Sequence, residues 1–194
     1  SKILILSNYN ALNKGKKEIT KEDLLETLWQ SSVYEKHVQE LYENKKIIFS
    51  CEGKRVGVIN ALAVIESGDF CFGRPLRITA LCVKGDGNII DAQKESSLSG
   101  NIHDKSISIL KAFINKLVKG YERISVDFYI SFEQIYGRID GDSASVAEAV
   151  SMISSITGIP IRQNIAITGS MNQLGEVQAI GGVNEKIEGF FDTC

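Results

Sequence analysis

The sequence predicts an α+β (mixed α/β) domain, and three features of the chain support this. Residues 46–83 are rich in strand-like stretches separated by short turns. Residues 104–119 change to the period of an amphipathic helix. The remainder alternates a strand, a helix, a hairpin and a last helix. A β-rich first half and a strand–helix–hairpin–helix second half predict a mixed fold, and 194 residues suit one domain or one domain with an appended segment.

Three stretches of the first half have the composition of strands. Residues 47–51 end at a turn over 52–54, and residues 56–64 follow directly. The third stretch covers 76–83 and ends at the turn over 85–87. Successive strands joined by short turns predict an antiparallel or mixed sheet.

Two helices and a strand are expected in the middle of the chain. The first helix covers 104–119, the strand covers 124–130, and the second helix covers 144–157, closed by Gly158 and Pro160. The apolar face of the first helix and the glycine expected to end it are Ile107, Leu110, Phe113, Ile114, Leu117 and Gly120.

A hairpin and a final helix are expected in the last third. Residues 164–168 form one strand, Gly175 marks the turn, and residues 176–180 form its partner strand. Gly181-Gly182 then precedes a helix over 183–191.

Residues 1–45 are predicted to be a connector or the end of a preceding domain, partly helical. Thr20 before Asp23 and an apolar pattern indicate a capped helix start, and a second helical stretch is expected over 33–42. Residues 46–194 are therefore assigned to the functional domain.

Composition excludes several classes of protein. Hydrophobic residues make up 43% of the chain, too many for a disordered tail. There are 22 basic and 24 acidic residues, so no basic excess exists for nucleic-acid binding. The lack of a long apolar run argues against a membrane helix, and the lack of a basic-then-apolar leader argues for a cytoplasmic location.

The four cysteines and two histidines do not suggest a metal site. No Cys-x-x-Cys pair occurs, so structural zinc is not expected. Cys51, Cys71 and Cys82 lie in apolar, strand-like stretches, which predicts buried, reduced thiols.

Ser143 is the first candidate for chemistry. It lies between a glycine-containing turn and a long helix, where unpaired backbone N–H groups and the helix dipole could stabilise an oxyanion. An ordinary serine N-cap, with Asp142 sharing the role, is the alternative that position alone favours.

A nucleophilic serine requires a base, and two candidates exist. His103-Asp104 could supply a Ser-His-Asp triad, although adjacent helical residues rarely point at each other. Lys186 lies in the first turns of the last helix, where the dipole and partial burial would favour a neutral amine. A solvated surface lysine is the alternative.

In combination, these residues resemble the proteolytic domain of Lon-type ATP-dependent proteases. The resemblance covers about residues 46–192, and Lys186 follows Ser143 by 43 positions (186 − 143), the spacing that the family uses. The nucleophile motif has Gly-Asp-Ser-Ala-Ser, as in one subgroup, rather than Gly-Pro-Ser-Ala-Gly. The matching segments are 56–63, 140–145, 167–170, 174–177 and 180–186.

The resemblance implies a Lon-protease-like fold and a serine endopeptidase with a Ser-Lys dyad. Ser143 would be the nucleophile and Lys186 the general base, with Thr168 helping to hold the lysine. Asp142 occupies the position where many members carry proline, and Asp140 could instead reach Lys186. A carboxylate beside the lysine would keep it charged, so the resting site could be inactive until binding or oligomerisation.

The resemblance also implies substrates and partners. Substrates would be unfolded or damaged polypeptides, paired as an added strand along residues 132–139, which include Phe132, Gly137 and Ile139. An attached AAA+ ATPase and a homohexameric ring are expected. No cofactor is expected in this domain, because ATP and Mg²⁺ would bind an ATPase part and the chain has no Walker A motif. Neither nucleic acid nor membrane is expected as a partner. The domain is expected to be truncated after Cys194.

Two other functions stay open at this stage. One is a catalytically silent Lon-like module that assembles or holds substrate, although retention of Ser143, Thr168 and Lys186 argues against it. The other is an unrelated Ser-Lys amidase for a small molecule, which would need a closed pocket.

Overall fold

A computed structural model describes residues 2–28, 48–67, 70–117, 125–135 and 138–194. The helix expected over 33–42, and Gly120 at the end of another, lie outside these residues. Helix α1 covers Lys2–Asn13, and α2 covers residues 21–28. The predicted cap of α2 is confirmed: the Asp23 N–H donates to Thr20 Oγ1 (3.4 Å) and the Thr20 N–H donates to Asp23 Oδ2 (3.0 Å).

A five-stranded mixed sheet forms the centre of the domain and confirms the mixed α/β class. Its order is β4-β5-β3-β2-β7, with β2–β3 and β3–β5 antiparallel and β4–β5 and β2–β7 parallel. These strands are β2 (Val58–Ser67), β3 (Phe70–Lys84), β4 (Ile89–Asp91), β5 (Val126–Phe132) and β7 (Ala166–Ile167). The described residues also form the pairs β1 (Lys54–Arg55) with β6 (Ile161–Arg162), and β8 (Ser170–Met171) with β9 (Val177–Gln178).

Three long helices lie beside this sheet or one another. They are α4 (Asn101–Leu117), α5 (Ser145–Thr157) and α6 (Val183–Thr193), and a short α3 covers Ala92–Glu95. All three long helices agree with the predicted ones to within three residues at each described end. Gly158 ends α5 in the left-handed conformation (φ 71°), as its position predicts.

The main core lies between the sheet and α5. Ile59, Ile78 and Ile130 from three adjacent strands are buried against Met152 of α5. Burial of each such side chain contributes about 1.5–3 kcal/mol to folding. The core therefore fixes α5 firmly on β2 and β3, and α5 is the helix that begins just after Ser143.

The predicted hairpin is wrong in its pairing. Residues 166–167 pair in parallel with β2, through Asn60 with Ala166 and Ala61 with Ile167. The sheet thus takes up this strand, and β9 pairs instead with β8 across the turn at Gly175. The distant partner was not visible in local sequence, because strand pairing is decided by tertiary packing.

The prediction of buried, reduced cysteines is confirmed for the reduced state of Cys71 and Cys82 and is wrong for Cys51 and for the burial of Cys71. Cys51 and Cys194 form a disulfide that spans 143 residues of sequence, Cys71 is exposed, and Cys82 is half-buried. Nearby, the rings of Phe49 and Phe190 meet edge to face at 6.2 Å. The fold brings the end of α6 beside the segment before β1, which no local pattern indicates.

No helix among the described residues has the length and apolarity needed to cross a membrane.

Candidate active site

The nucleophile segment, defined here as residues 140–145, is fastened to the loop that follows β7. The Gly169 N–H donates to the Ser143 carbonyl oxygen (2.7 Å), and the Val146 N–H donates to the Gly169 carbonyl oxygen (3.1 Å). The Thr168 hydroxyl donates to the same Ser143 carbonyl (3.2 Å). These bonds hold the Ser143 backbone at the start of α5.

Thr168 therefore contacts the serine rather than the lysine. The resemblance implied that its hydroxyl helps to hold Lys186, but among the described residues this hydroxyl bonds to the Ser143 backbone.

The N-cap of α5 is Ala144, not Ser143. Ala144 has αR backbone angles and makes no side-chain capping bond. Ser145 instead bonds back to the Asp142 carbonyl oxygen through both its N–H and its hydroxyl. Among the described residues, the Ser143 hydroxyl makes no hydrogen bond, so the structural role that its position suggested is not realised.

Lys186 is buried on the second turn of α6. Its side chain is only 3% exposed, and its N–H donates to the Gly182 carbonyl oxygen (3.0 Å). Burial lowers the pKa of the Lys186 amine, and the negative charge of Asp142 partly opposes this. The alternative of a solvated surface lysine is therefore wrong.

Asp142 couples the serine segment to the lysine helix by its charge. Its Oδ2 accepts a 2.7 Å hydrogen bond from the Ser170 hydroxyl, which holds the carboxylate on the side of the loop. No hydrogen bond joins Ser143 to Lys186 in the described part of the chain. The charge of Asp142, the residue before Ser143, acts on the Lys186 amine and favours its cation.

Asp140 does not serve the lysine. Its Oδ1 accepts backbone N–H bonds from Ile102 (3.1 Å), His103 (3.3 Å) and Gly141 (2.9 Å). The bond from Gly141 and those from α4 lower the pKa of the Asp140 carboxyl despite some desolvation. The carboxylate thus caps the N-terminus of α4, which corrects the expectation that it could reach Lys186.

His103 is also engaged elsewhere. Its Nε2–H donates to Asp91 Oδ2 (2.8 Å), and its Nδ1 lies 3.9 Å from Glu148 Oε1. Both ring nitrogens therefore face carboxylates in the core, and the triad through His103-Asp104 is not formed. Sequence reasoning missed Asp91 and Glu148, because each lies far from His103 along the chain.

Substrate was expected to pair as an added strand along residues 132–139. At the two ends of this segment, the backbone N–H and carbonyl groups of Phe132 and Ile139 are already hydrogen-bonded. Phe132 is buried in β5, an interior strand, and both its backbone groups bond to the Gln93 amide. The Ile139 N–H donates to the Leu98 carbonyl (2.8 Å), and its carbonyl accepts from Gly100 (2.7 Å). Gly137 lies outside the described residues.

Two glycines seat the lysine helix on the sheet, and sequence reasoning gave them no role. A Cβ at Gly73 of β3 would lie 1.8 Å from the Glu185 carbonyl oxygen, and one at Gly189 of α6 would lie 2.1 Å from the Gly73 carbonyl oxygen. Only glycine permits this backbone contact. The contact sets the height of Lys186 above β3.

The described residues contain no group of three or more His, Cys, Asp or Glu side chains that could hold a metal ion.

Comparison with known protein families shows that the chain is a proteolytic domain. Residues 32–189 match the model of the Lon protease (S16) C-terminal proteolytic domain, and the chain belongs to this family.

Curated relatives agree with this assignment. A putative Lon protease homolog of Escherichia coli (strain K12) is 41% identical over 168 residues, 86% of this chain and 29% of that protein. The putative Lon protease homolog of Haemophilus influenzae is 42% identical over 153 residues, 78% of this chain and 26% of that protein. The archaeal Lon protease of Thermococcus kodakarensis is 37% identical over 182 residues, 92% of this chain and 28% of that protein. The chain thus spans less than a third of the length of these relatives.

Proposed function

We propose that this domain is a serine endopeptidase in which Ser143 is the nucleophile and Lys186 the general base. The observation that carries the proposal is a buried lysine whose pKa is lowered by burial and which senses the charge of Asp142, the neighbour of a Ser143 whose hydroxyl makes no hydrogen bond among the described residues. Family membership supports peptide bonds as the target.

The chemistry proposed for the dyad is acyl transfer in two steps. The Ser143 Oγ attacks the carbonyl carbon of the peptide while its proton passes to the neutral Lys186 Nζ. The tetrahedral intermediate collapses, the C–N bond breaks, and the lysine returns that proton to the leaving amine. Water then hydrolyses the acyl-enzyme ester with the lysine again acting as base, which frees Ser143. The Ser145 and Val146 N–H groups already bond the Asp142 and Gly169 carbonyl oxygens, so the proposed oxyanion would need other N–H donors near Ser143.

The state of Lys186 controls the rate in this proposal. Only its neutral form can accept the serine proton, and burial of the side chain favours that form. Asp142 opposes it by favouring the cation. A substrate that displaces or neutralises the Asp142 carboxylate would activate the amine, which gives a physical reason for a site that works best when substrate is bound.

We further propose that the substrates are unfolded polypeptides, delivered by an ATPase part of a longer protein and cut in a hexameric ring. Support comes from the family and from relatives more than three times as long as the matched region.

Hydrolysis of an unfolded casein and of a short fluorogenic peptide by the chain tests the dyad. Ser143→Ala and Lys186→Arg should each lower turnover by about 10³-fold or more. The first removes the nucleophile, and the second replaces the base by an arginine, which is never neutral. Ser108→Ala and Lys105→Ala are matched controls on the exposed side of α4 and should retain wild-type rates. Equal rates for wild type and Ser143→Ala would reject the proposal.

A further inference from the structure

A cluster of three ionisable side chains is buried behind the nucleophile segment. Asp91, His103 and Glu148 come from β4, α4 and α5, and none is more than 1% exposed. The His103 ring lies between the carboxylates, 2.8 Å from Asp91 and 3.9 Å from Glu148. The Phe132 ring covers it edge-on at 5.5 Å between centroids.

The Glu148 carboxyl is the anomalous member of this cluster. Neither of its buried oxygens has a hydrogen-bond partner among the described residues. A buried carboxylate without partners is strongly unfavourable, so either a proton or a neighbouring cation must compensate. The titratable groups that act on Glu148 are His103 and Asp91, and His103 is the only one of them that can be a cation.

The geometry at His103 therefore favours the imidazolium. A neutral ring has one N–H, and the 2.8 Å bond to Asp91 places it on Nε2. Its Nδ1 lone pair would then point toward an unpartnered carboxyl. A protonated ring presents an N–H to both carboxyl groups. Asp104 on the same helix adds a third, half-exposed negative charge that acts on His103.

The directions of the pKa shifts agree with this geometry. Burial lowers the pKa of His103, but the bond to Asp91 and the charges of Glu148, Asp91 and Asp104 outweigh it and raise the pKa above its ordinary value. Burial raises the pKa of Glu148 to about 7, against the opposing effect of His103. The pKa of Glu148 thus lies near neutral pH, and that of His103 lies above its ordinary value.

The cluster is tied directly to the nucleophile segment. The backbone N–H of His103 donates to Asp140 Oδ1 (3.3 Å), and Asp140 lies three residues before Ser143. One turn along α4, the Ser106 and Ser145 hydroxyls share a 2.7 Å hydrogen bond. Glu148 follows on α5, the helix that begins at Ser145. Helix α4 thus contacts the segment before and after the serine, and the His103–Glu148 contact adds to the Ser106–Ser145 bond as a link between α4 and α5.

We propose that His103 is a positioning residue for the reaction, and that its protonated ring, held between Asp91 and Glu148, aligns α4 with α5 and so fixes the placement of Ser143. Loss of this proton leaves Glu148 without a cation and loosens the alignment. The link to turnover rests on the proposed function. The base requires a neutral Lys186 and the alignment requires a charged His103, so turnover should have a bell-shaped pH profile in which one limb follows His103 and the other follows Lys186.

The titration of His103 can be measured by NMR without any proteolysis. The chain has two histidines, so His37→Gln leaves His103 as the single imidazole, and Ser143→Ala prevents self-cleavage. We expect a midpoint above 6.5, lowered by about one pH unit or more in Glu148→Gln. Glu95→Gln, an exposed change of equal charge, should leave it unmoved. A wild-type midpoint below 6.5 would overturn the proposal, even if Glu148→Gln failed to fold.

Positioning has its own readout in the same samples. The backbone amide signals of residues 143–146 should shift with the midpoint of His103, and both midpoints should move together in Glu148→Gln. Amide signals that do not change as His103 titrates would overturn the positioning role of His103, whether or not the chain cleaves peptides. Asp91→Asn is a second variant with the same expected direction.

Turnover then separates the two proposals. One limb of the pH profile of kcat, rather than of KM, should follow the His103 midpoint in wild type and in Glu148→Gln. A profile in which neither limb moves while the titration moves would overturn the role of His103 in the reaction. If the amide signals follow the His103 titration but the chain cleaves no peptide, the proposed function is overturned and the alignment of α4 with α5 by His103 is established.

Discussion

Gly73→Ala tests whether the backbone contact between β3 and α6 sets the position of the lysine. The new Cβ would lie 1.8 Å from the Glu185 carbonyl oxygen and 2.6 Å from the Lys186 nitrogen. Relief to the tightest tolerated contact of 3.0 Å requires a movement of at least 1.2 Å (3.0 − 1.8). Both obstructing atoms are backbone, so α6 as a whole must lift from the sheet.

The expected effect follows from that displacement. A misplacement of about 1 Å in a catalytic group lowers turnover by about 100-fold. Overpacking of this kind destabilises a protein by about 1–3 kcal/mol, so the variant should still be folded at room temperature. The expected result for Gly73→Ala is therefore a large loss of kcat with a moderate fall in Tm.

The assay is hydrolysis of the fluorogenic peptide beside a thermal melt. Gly181→Ala is the matched control, because a Cβ there would meet nothing within 4 Å and its backbone does not require glycine. It should retain kcat within about twofold, as expected of a substitution that creates no contact. Full activity in a folded Gly73→Ala variant, or an equal loss in Gly181→Ala, would refute the reasoning.

Three further predictions concern charge and cross-linking. Asp142→Asn removes the charge that favours the Lys186 cation, so the limb of the kcat–pH profile that follows Lys186 should move to lower pH; a profile with neither limb moved would contradict this coupling. The folded-state pKa of Glu148 is raised to about 7, so its stabilising effect is complete below about pH 4.5 and is lost as pH rises through 7. Glu148→Gln should therefore reduce the loss of stability between about pH 4.5 and 8, by up to about 3 kcal/mol in chemical denaturation, whereas an identical loss in both proteins would argue against burial of the charge. Reduction of the Cys51–Cys194 disulfide, which spans 143 residues, should destabilise the fold by about 2–5 kcal/mol, and the double serine variant should melt alike with and without reductant.

Local pattern was sufficient for the helices and for the identity of the candidate dyad. The helix beginning after Ser143 follows from its apolar period and from Gly158, and both signals depend only on near neighbours in the chain. Lys186 could be placed on the first turns of a helix in the same way. The dyad itself stays a prediction until the variants are assayed.

The site's surroundings could not be predicted from the same signals. Thr168 bonds the serine carbonyl, and Asp140 caps α4 instead of reaching the lysine. The pairing of β7 with β2 decides where the 168–170 loop lies, and that pairing joins residues about a hundred positions apart. Short-range periodicity carries no information on such contacts.

The amino-acid order by itself determined the mixed class, the helices and the residue types able to perform acyl transfer, since these depend on composition and spacing along the chain. Tertiary structure decided which carboxylate faces the lysine, how closely α6 approaches β3, and that a histidine is enclosed by two acids. These properties arise when distant segments exclude water together, and desolvation and charge act through space rather than along the sequence.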